Sequence, residues 1–110
     1  MKVLAVDSSS VSASVAILDG SNVLADFYVN AGLTHSQTLA PMIDLAVKSS
    51  GLNISDIDFF ASTTGPGSFT GLRIGIATVK GMALGSGKKC IGVSSLLAAA
   101  YNCKNFEVLI

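Results

Sequence analysis

The sequence predicts an α/β fold: a mixed sheet of about five strands with helices, in the order β-β-β-α-β-α-β-α-β. Three observations carry this. Extended segments open the chain and two of them are joined by Asp19-Gly20, a strong hairpin signal. Helical spacing first begins after Gly32. Beyond that, short apolar runs alternate with helical runs, so the first three strands are expected antiparallel and the later ones parallel, added through right-handed crossovers.

The opening strands are Lys2 to Val6, Ser12 to Leu18 and Asn22 to Val29. In the second, Val11, Ala13, Val15 and Ile17 alternate with Ser12, Ser14 and Ala16, the period of a strand with one buried face. Thr34-His35-Ser36-Gln37 has the form of a capping box, followed by Leu39, Met42, Ile43 and Ala46 at helical spacing, with Gly51 as the stop. Pro41 is awkward for a helix beginning at Thr34, so the regular helix is expected to start nearer Thr38. A polar link with Asp56 and Asp58 leads to the strand Phe59 to Thr63 and then to Gly65-Pro66-Gly67. A second helix is expected from about Thr70 to Leu84, a strand over Cys90 to Val93, a Ser-capped helix over Ser94 to Tyr101, and a last strand over Phe106 to Ile110. That final apolar run reads as a central strand still under way, so a lobe of a longer protein is expected, with a C-terminal edge strand as the alternative.

Composition narrows the function. Of 110 residues, 50% are hydrophobic and 13% charged, against roughly 25% charged in an ordinary domain. Such a chain is not disordered, and some of its apolar surface calls for a partner. Seven basic residues balance seven acidic ones, and only Lys88 and Lys89 are adjacent, which argues against independent nucleic-acid binding. The run Val3 to Val6 is too short for a signal peptide, and Cys90 to Cys103 is too short for a membrane span. Cys90 and Cys103, without CxxC spacing, read as reduced, buried thiols of a cytoplasmic protein.

Several motifs stand out. Asp7-Ser8-Ser9-Ser10 joins two strands, and its amides and hydroxyls could hold a phosphate while Asp7 orients a metal; an Asx or Ser turn closing a hairpin is the favoured alternative, since no glycine eases a nucleotide in. Gly65-Pro66-Gly67-Ser68-Phe69-Thr70-Gly71 lies between a strand and a helix start, where free amides attract anions. It fits neither a Walker A loop nor G-x-G-x-x-G, and a rigid turn with Ser68 or Thr70 capping the helix explains it equally well. The second helix has two apolar faces. Leu72, Ile76, Val79 and Ala83 are assigned to the sheet, while Gly71, Gly75, Thr78 and Met82, with Leu39, Met42, Ile43 and Ala46 of the first helix, are assigned to a partner interface. The only histidine, His35, has Leu39 at i+4, so no helical metal pair exists and no catalytic residue can be named.

Val3-Leu4-Ala5-Val6-Asp7-Ser8-Ser9, Thr34-His35-Ser36-Gln37 with Leu39 and Pro41, and above all the string from Gly65 through Phe69 and Arg73 to Gly75 resemble the TsaB (YeaZ) family, and the resemblance continues to Ile91-Gly92-Val93-Ser94-Ser95-Leu96. It implies that residues 1–110 are the single amino-terminal lobe of a two-lobed protein with an actin-like, sugar-kinase-like (ribonuclease H-like) fold, the carboxy-terminal lobe being absent. It also implies a cytoplasmic, non-catalytic subunit of the machinery that makes threonylcarbamoyladenosine in tRNA, with Asp7, Ser8 and Ser9 as a vestigial phosphate-type turn. The implied partners are a TsaD-like catalytic subunit and a TsaE-like ATPase, with tRNA and ATP reached only through the complex and no cofactor or metal of its own. In TsaD an H-x-x-x-H motif binds metal; here Leu39 stands in the second position. Alone, the lobe is expected to form a homodimer. The competing readings are an ATP-binding phosphotransferase or TsaD-like catalytic lobe using Asp7, and a glycoprotease, for which no nucleophile with a base is present.

Overall fold

A computed structural model describes residues 1–30 and 34–101. The elements are β1 (Lys2–Asp7), β2 (Ala13–Asp19), β3 (Asn22–Val29), α1 (His35–Ser50), a 3-10 turn at Ile54–Asp56, β4 (Phe59–Gly65), α2 (Phe69–Ser86), β5 (Lys89–Ser94) and α3 (Ser95–Tyr101). The expected strand at Phe106 to Ile110, and the residues Gly32 and Cys103, lie outside the described residues.

The five strands form one sheet in the order β3-β2-β1-β4-β5. β1 pairs antiparallel with β2, and β2 with β3, while β4 joins β1 and β5 joins β4 in parallel. Gly20, at φ +62°, turns the β2–β3 hairpin in the left-handed region that glycine enters at least cost. At the start of β4, the Asp58 carboxylate accepts from the Lys2 amide at 2.6 Å and the Asp58 amide donates to the Lys2 carbonyl at 2.8 Å, which pins the parallel register.

Register decides the core. Leu4 and Val6 stand opposite Ile17 and Val15 on one side and Phe60 and Ser62 on the other, so all six side chains share one face. α1 and α2 cover that face, with Leu39, Ile43, Ala46 and Val79 buried against it. On the opposite face the small residues Ala5, Ala16 and Ala61 surround a concavity of about 180 Å³ that Ala98 of α3 also lines. The sheet is thus layered between two helices and one.

α1 begins at His35, not near Thr38 as expected. Its capping-box sequence fixes the start: Gln37 Oε1 accepts from the Thr34 amide at 3.3 Å and from the Thr34 hydroxyl at 3.1 Å. Pro41 is accommodated inside the helix, where packing of Leu39, Met42 and Ile43 offsets the missing amide bond. α2 ends at Gly87, φ +70°, whose amide donates to the Ala83 and Leu84 carbonyls. Cys90 is a free thiol and is exposed, which corrects the buried assignment: β5 is an outer strand among the described residues. None of the described helices is long and apolar enough to cross a membrane.

Candidate functional site

Strand β1 delivers Asp7 to the end of the sheet, and the next three serines turn the chain into β2. Three other segments converge there: the end of β4, the Gly65–Gly71 loop with the first turns of α2, and the first turn of α1. Sequence alone brought forward Asp7, the serine turn, the glycine loop and His35; the structure brings all four together.

Asp7 Oδ1 accepts three hydrogen bonds, from the Ser9 amide (3.0 Å), the Ser9 hydroxyl (2.6 Å) and the Thr63 hydroxyl (3.0 Å). Partial burial pushes the carboxyl pKa up, but the bonds from Ser9 and Thr63 outweigh it and hold the group below the usual carboxylate value. The segment is therefore an Asx-type turn, with Thr63 as an added donor from β4. Thr63 was not singled out in the sequence. Its signal was the alternation of β4, which sets Ser62 on the helix-covered face and Thr63 on the face shared by Asp7.

Ser8 is fully buried, and its hydroxyl donates to the Gly71 carbonyl at 2.7 Å. The Ser9 carbonyl accepts from the Ser68 amide at 2.7 Å. A Cβ on Gly67 would overlap Ser9, one on Gly71 would strike the Ser8 carbonyl and approach the His35 ring, and one on Gly75 would overlap the Ser8 hydroxyl. The glycines thus let α2 and its loop lie directly on the serine turn. Ser68 caps α2, accepting from the Gly71 amide at 3.3 Å. Gly65, at φ +120°, precedes a cis bond to Pro66.

His35 is the first residue of α1, and its Nε2 lies 2.6 Å from the Ser10 carbonyl, so that nitrogen carries the proton and donates. Nδ1 is buried without a hydrogen-bond partner. With Nε2–H donated to a carbonyl, Nδ1 is the basic nitrogen, and no serine hydroxyl is hydrogen-bonded to it. The second position of an H-x-x-x-H pair is held by Leu39, 1% exposed in the core, and no three His, Cys, Asp or Glu side chains come together among the described residues. The H-x-x-x-H type of metal site does not fit these residues.

The expected partner surface needs correction. Leu39, Met42, Ile43 and Ala46 are all buried in the lobe's own core, and Gly71 and Gly75 face the serine turn. The sheet-facing stripe of α2 is Gly71, Gly75, Val79 and Ala83, each four residues on from the last, while Leu72 and Ile76 are only half-buried beside it. Of the eight residues, Thr78 and Met82 are the two that are half-buried and not core, and with Ile43 they line a groove of about 260 Å³ between α1 and α2 that Ala40 and Asp44 also border.

A model of the family described as TsaD, tRNA N6-adenosine threonylcarbamoyltransferase, matches residues 29–108. The chain belongs to the TsaD family. Within it, the TsaB/YeaZ resemblance holds. It is 40% identical over 100 residues to the tRNA threonylcarbamoyladenosine biosynthesis protein TsaB of Escherichia coli K12, covering 91% of this chain and 43% of that one. To the TsaB of Bacillus subtilis 168 it is 30% identical over 110 residues, covering 100% and 48%. It is also similar to a solved Pseudomonas aeruginosa structure described as an uncharacterized protein with similarity to peptidase YEAZ, with TM-score 0.83 and 35% identity over 94% of this chain and 49% of that one. The chain therefore spans about half the length of these TsaB relatives, and its fold is the α/β, ribonuclease H-like lobe of the actin-like class.

Proposed function

We propose that this chain serves as one lobe of a cytoplasmic, non-catalytic subunit in the synthesis of threonylcarbamoyladenosine in tRNA. In this reading it supports a TsaD-like catalytic subunit, meets a TsaE-like ATPase in the assembled complex, and reaches tRNA and ATP only there. It holds no cofactor of its own and self-associates when its partners are absent.

One observation carries the non-catalytic part: the phosphate-type turn is filled from within. Ser8 and Ser9 are bonded to Gly71 and Ser68, three protein donors occupy Asp7 Oδ1, and the only histidine is tied to Ser10. A phosphate entering the turn would have to displace the first turn of α2. The assignment to threonylcarbamoyladenosine synthesis is supported by the TsaB names of the relatives. The partner surface in this reading is the α1–α2 groove at Thr78 and Met82, in a chain whose exposed Leu45 and Leu84 leave apolar area on the same helices.

The test mixes the purified chain with the TsaD-like and TsaE-like proteins of its own source, followed by size-exclusion chromatography, and titrates the chain alone with Mg²⁺-ATP by calorimetry. Co-elution with the TsaD-like subunit and no heat from ATP are expected. Micromolar ATP binding by the chain alone would favour the catalytic-lobe reading, and failure to co-elute would overturn the subunit role.

A further inference from the structure

Packing inside the lobe accounts for Gly67, Ser68, Gly71 and Gly75 of the signature string, but it does not account for Phe69 and Arg73. Phe69 opens α2 with 73% of its surface exposed. One turn later the Arg73 guanidinium sits over its ring, 5.4 Å from the centroid. Among the described residues Arg73 makes no ion pair; the two pairs present join the amino terminus to Asp19 and Lys48 to Asp44. Phe69 and Arg73, with Thr70, Ile74 and Ala77, line a concavity of about 370 Å³ on α2.

We infer that Phe69 and Arg73 form a docking platform for a carboxylate-bearing segment of a partner protein. An Asp or Glu side chain would pair with the planar guanidinium, and an apolar neighbour on the same segment would lie against the Phe69 ring. The aromatic face already holds the guanidinium in place, so little side-chain freedom is lost when a carboxylate arrives. Stacked, unpaired Arg beside an exposed aromatic is the residue chemistry enriched where single side chains dominate protein association. A nucleic-acid phosphate backbone is the poorer match. It needs several cations together, whereas the next cation along α2 is Lys80, two turns away, and the chain's net charge is zero. Ile74, which lines this concavity, lies one helical turn before Thr78, which lines the α1–α2 groove.

This inference rests on the proposed TsaD-like partner, and the experiment separates the two. Affinity of the full chain for that subunit is measured by calorimetry for the wild type and for Arg73→Ala, Arg73→Glu and Phe69→Ala, with circular dichroism as the folding control. Because both side chains are exposed, all three variants should fold as the wild type does. Arg73→Ala and Phe69→Ala should each weaken binding by about tenfold. Arg73→Glu should weaken it further, and an Asp or Glu to Lys change on the partner should restore it in that background and in no other. Wild-type affinity should fall with added salt. If the wild type binds and Arg73→Glu binds equally well, the platform is wrong while the subunit role stands; if the wild type does not bind, both fall. Loss of tRNA binding with unchanged protein binding in Arg73→Glu would also overturn it, in favour of a phosphate site.

Discussion

Ser8 and Gly71, 63 residues apart in sequence, interlock: the serine hydroxyl donates to the glycine carbonyl at 2.7 Å, and the serine carbonyl occupies the space where a Gly71 side chain would begin. A turn that residue type alone marks as ready for phosphate is thereby converted into a structural joint between β1 and α2.

The joint can be tested by a mutant cycle. Gly75→Ala should destabilise the lobe by about 1–3 kcal/mol, because its Cβ meets the buried Ser8 hydroxyl. In a Ser8→Ala background that penalty should shrink, since the remaining neighbours lie at 3.3 and 3.4 Å. Urea titrations of the four proteins give the coupling; strict additivity would show that the overlap is not the cause.

Gly81 and Gly85 occupy the same helix with nothing near the position of a Cβ. Replacing either by Ala should raise stability by about 0.5–1 kcal/mol. Gly71→Ala should do the opposite, because the atom it would strike is backbone. A thermal melt ranking all three variants checks this order.

Acid should loosen the turn. The folded pKa of Asp7 lies below its unfolded value of 3.8, so its contribution to stability is full above that value and disappears as pH falls through the lower folded value. Asp58, held low by the Lys2 amide, acts in the same direction. Unfolding free energy measured between pH 7 and pH 2 should drop below about pH 4. The drop should be smaller in Asp7→Asn and smaller still in the double variant with Asp58→Asn.

The two sides of α2 should respond differently to charge. Val79→Arg should unfold the lobe, since Val79 has no exposed surface and a guanidinium there would be buried without a partner. Thr78→Arg should keep the circular dichroism spectrum and weaken association with a TsaD-like subunit, because Thr78 borders the open groove. A normal pull-down with Thr78→Arg would remove the groove from the interface.

Local signals were legible in the sequence. Asp19-Gly20 and the period of β2 depend on residues close together in the chain, and each stands where the sequence puts it. The Thr34 to Gln37 box was legible too, although Pro41 drew the expected helix start away from it, and of the two caps offered for α2 the structure uses Ser68. The faces of α2 were misread because glycine leaves no apolar mark: Gly71 and Gly75 are buried by a serine turn more than 60 residues upstream, which no helical period reveals. Leu39, Met42, Ile43 and Ala46 were correctly seen as one apolar stripe, but a stripe does not say whether sheet or partner covers it. Thr63 was overlooked because its role depends on lying beside Asp7 across the β1–β4 pairing.

The sheet order also sets a timetable. β1 is flanked by β2, its next strand in sequence, and by β4, whose Phe59 pairs with Val3. A ribosome adding roughly 5–20 residues per second needs several seconds to travel from one partner to the other, whereas a hairpin closes in about 1–10 μs. For that interval β1 through β3 stand as a meander whose future centre is still an edge, with its amides and carbonyls on the β4 side unpaired and Leu4 and Val6 uncovered. The nascent chain is most vulnerable to strand-to-strand aggregation in this window. Substitutions that slow the arrival or docking of residues 59–65 should lower soluble yield more than they lower the stability of the finished lobe.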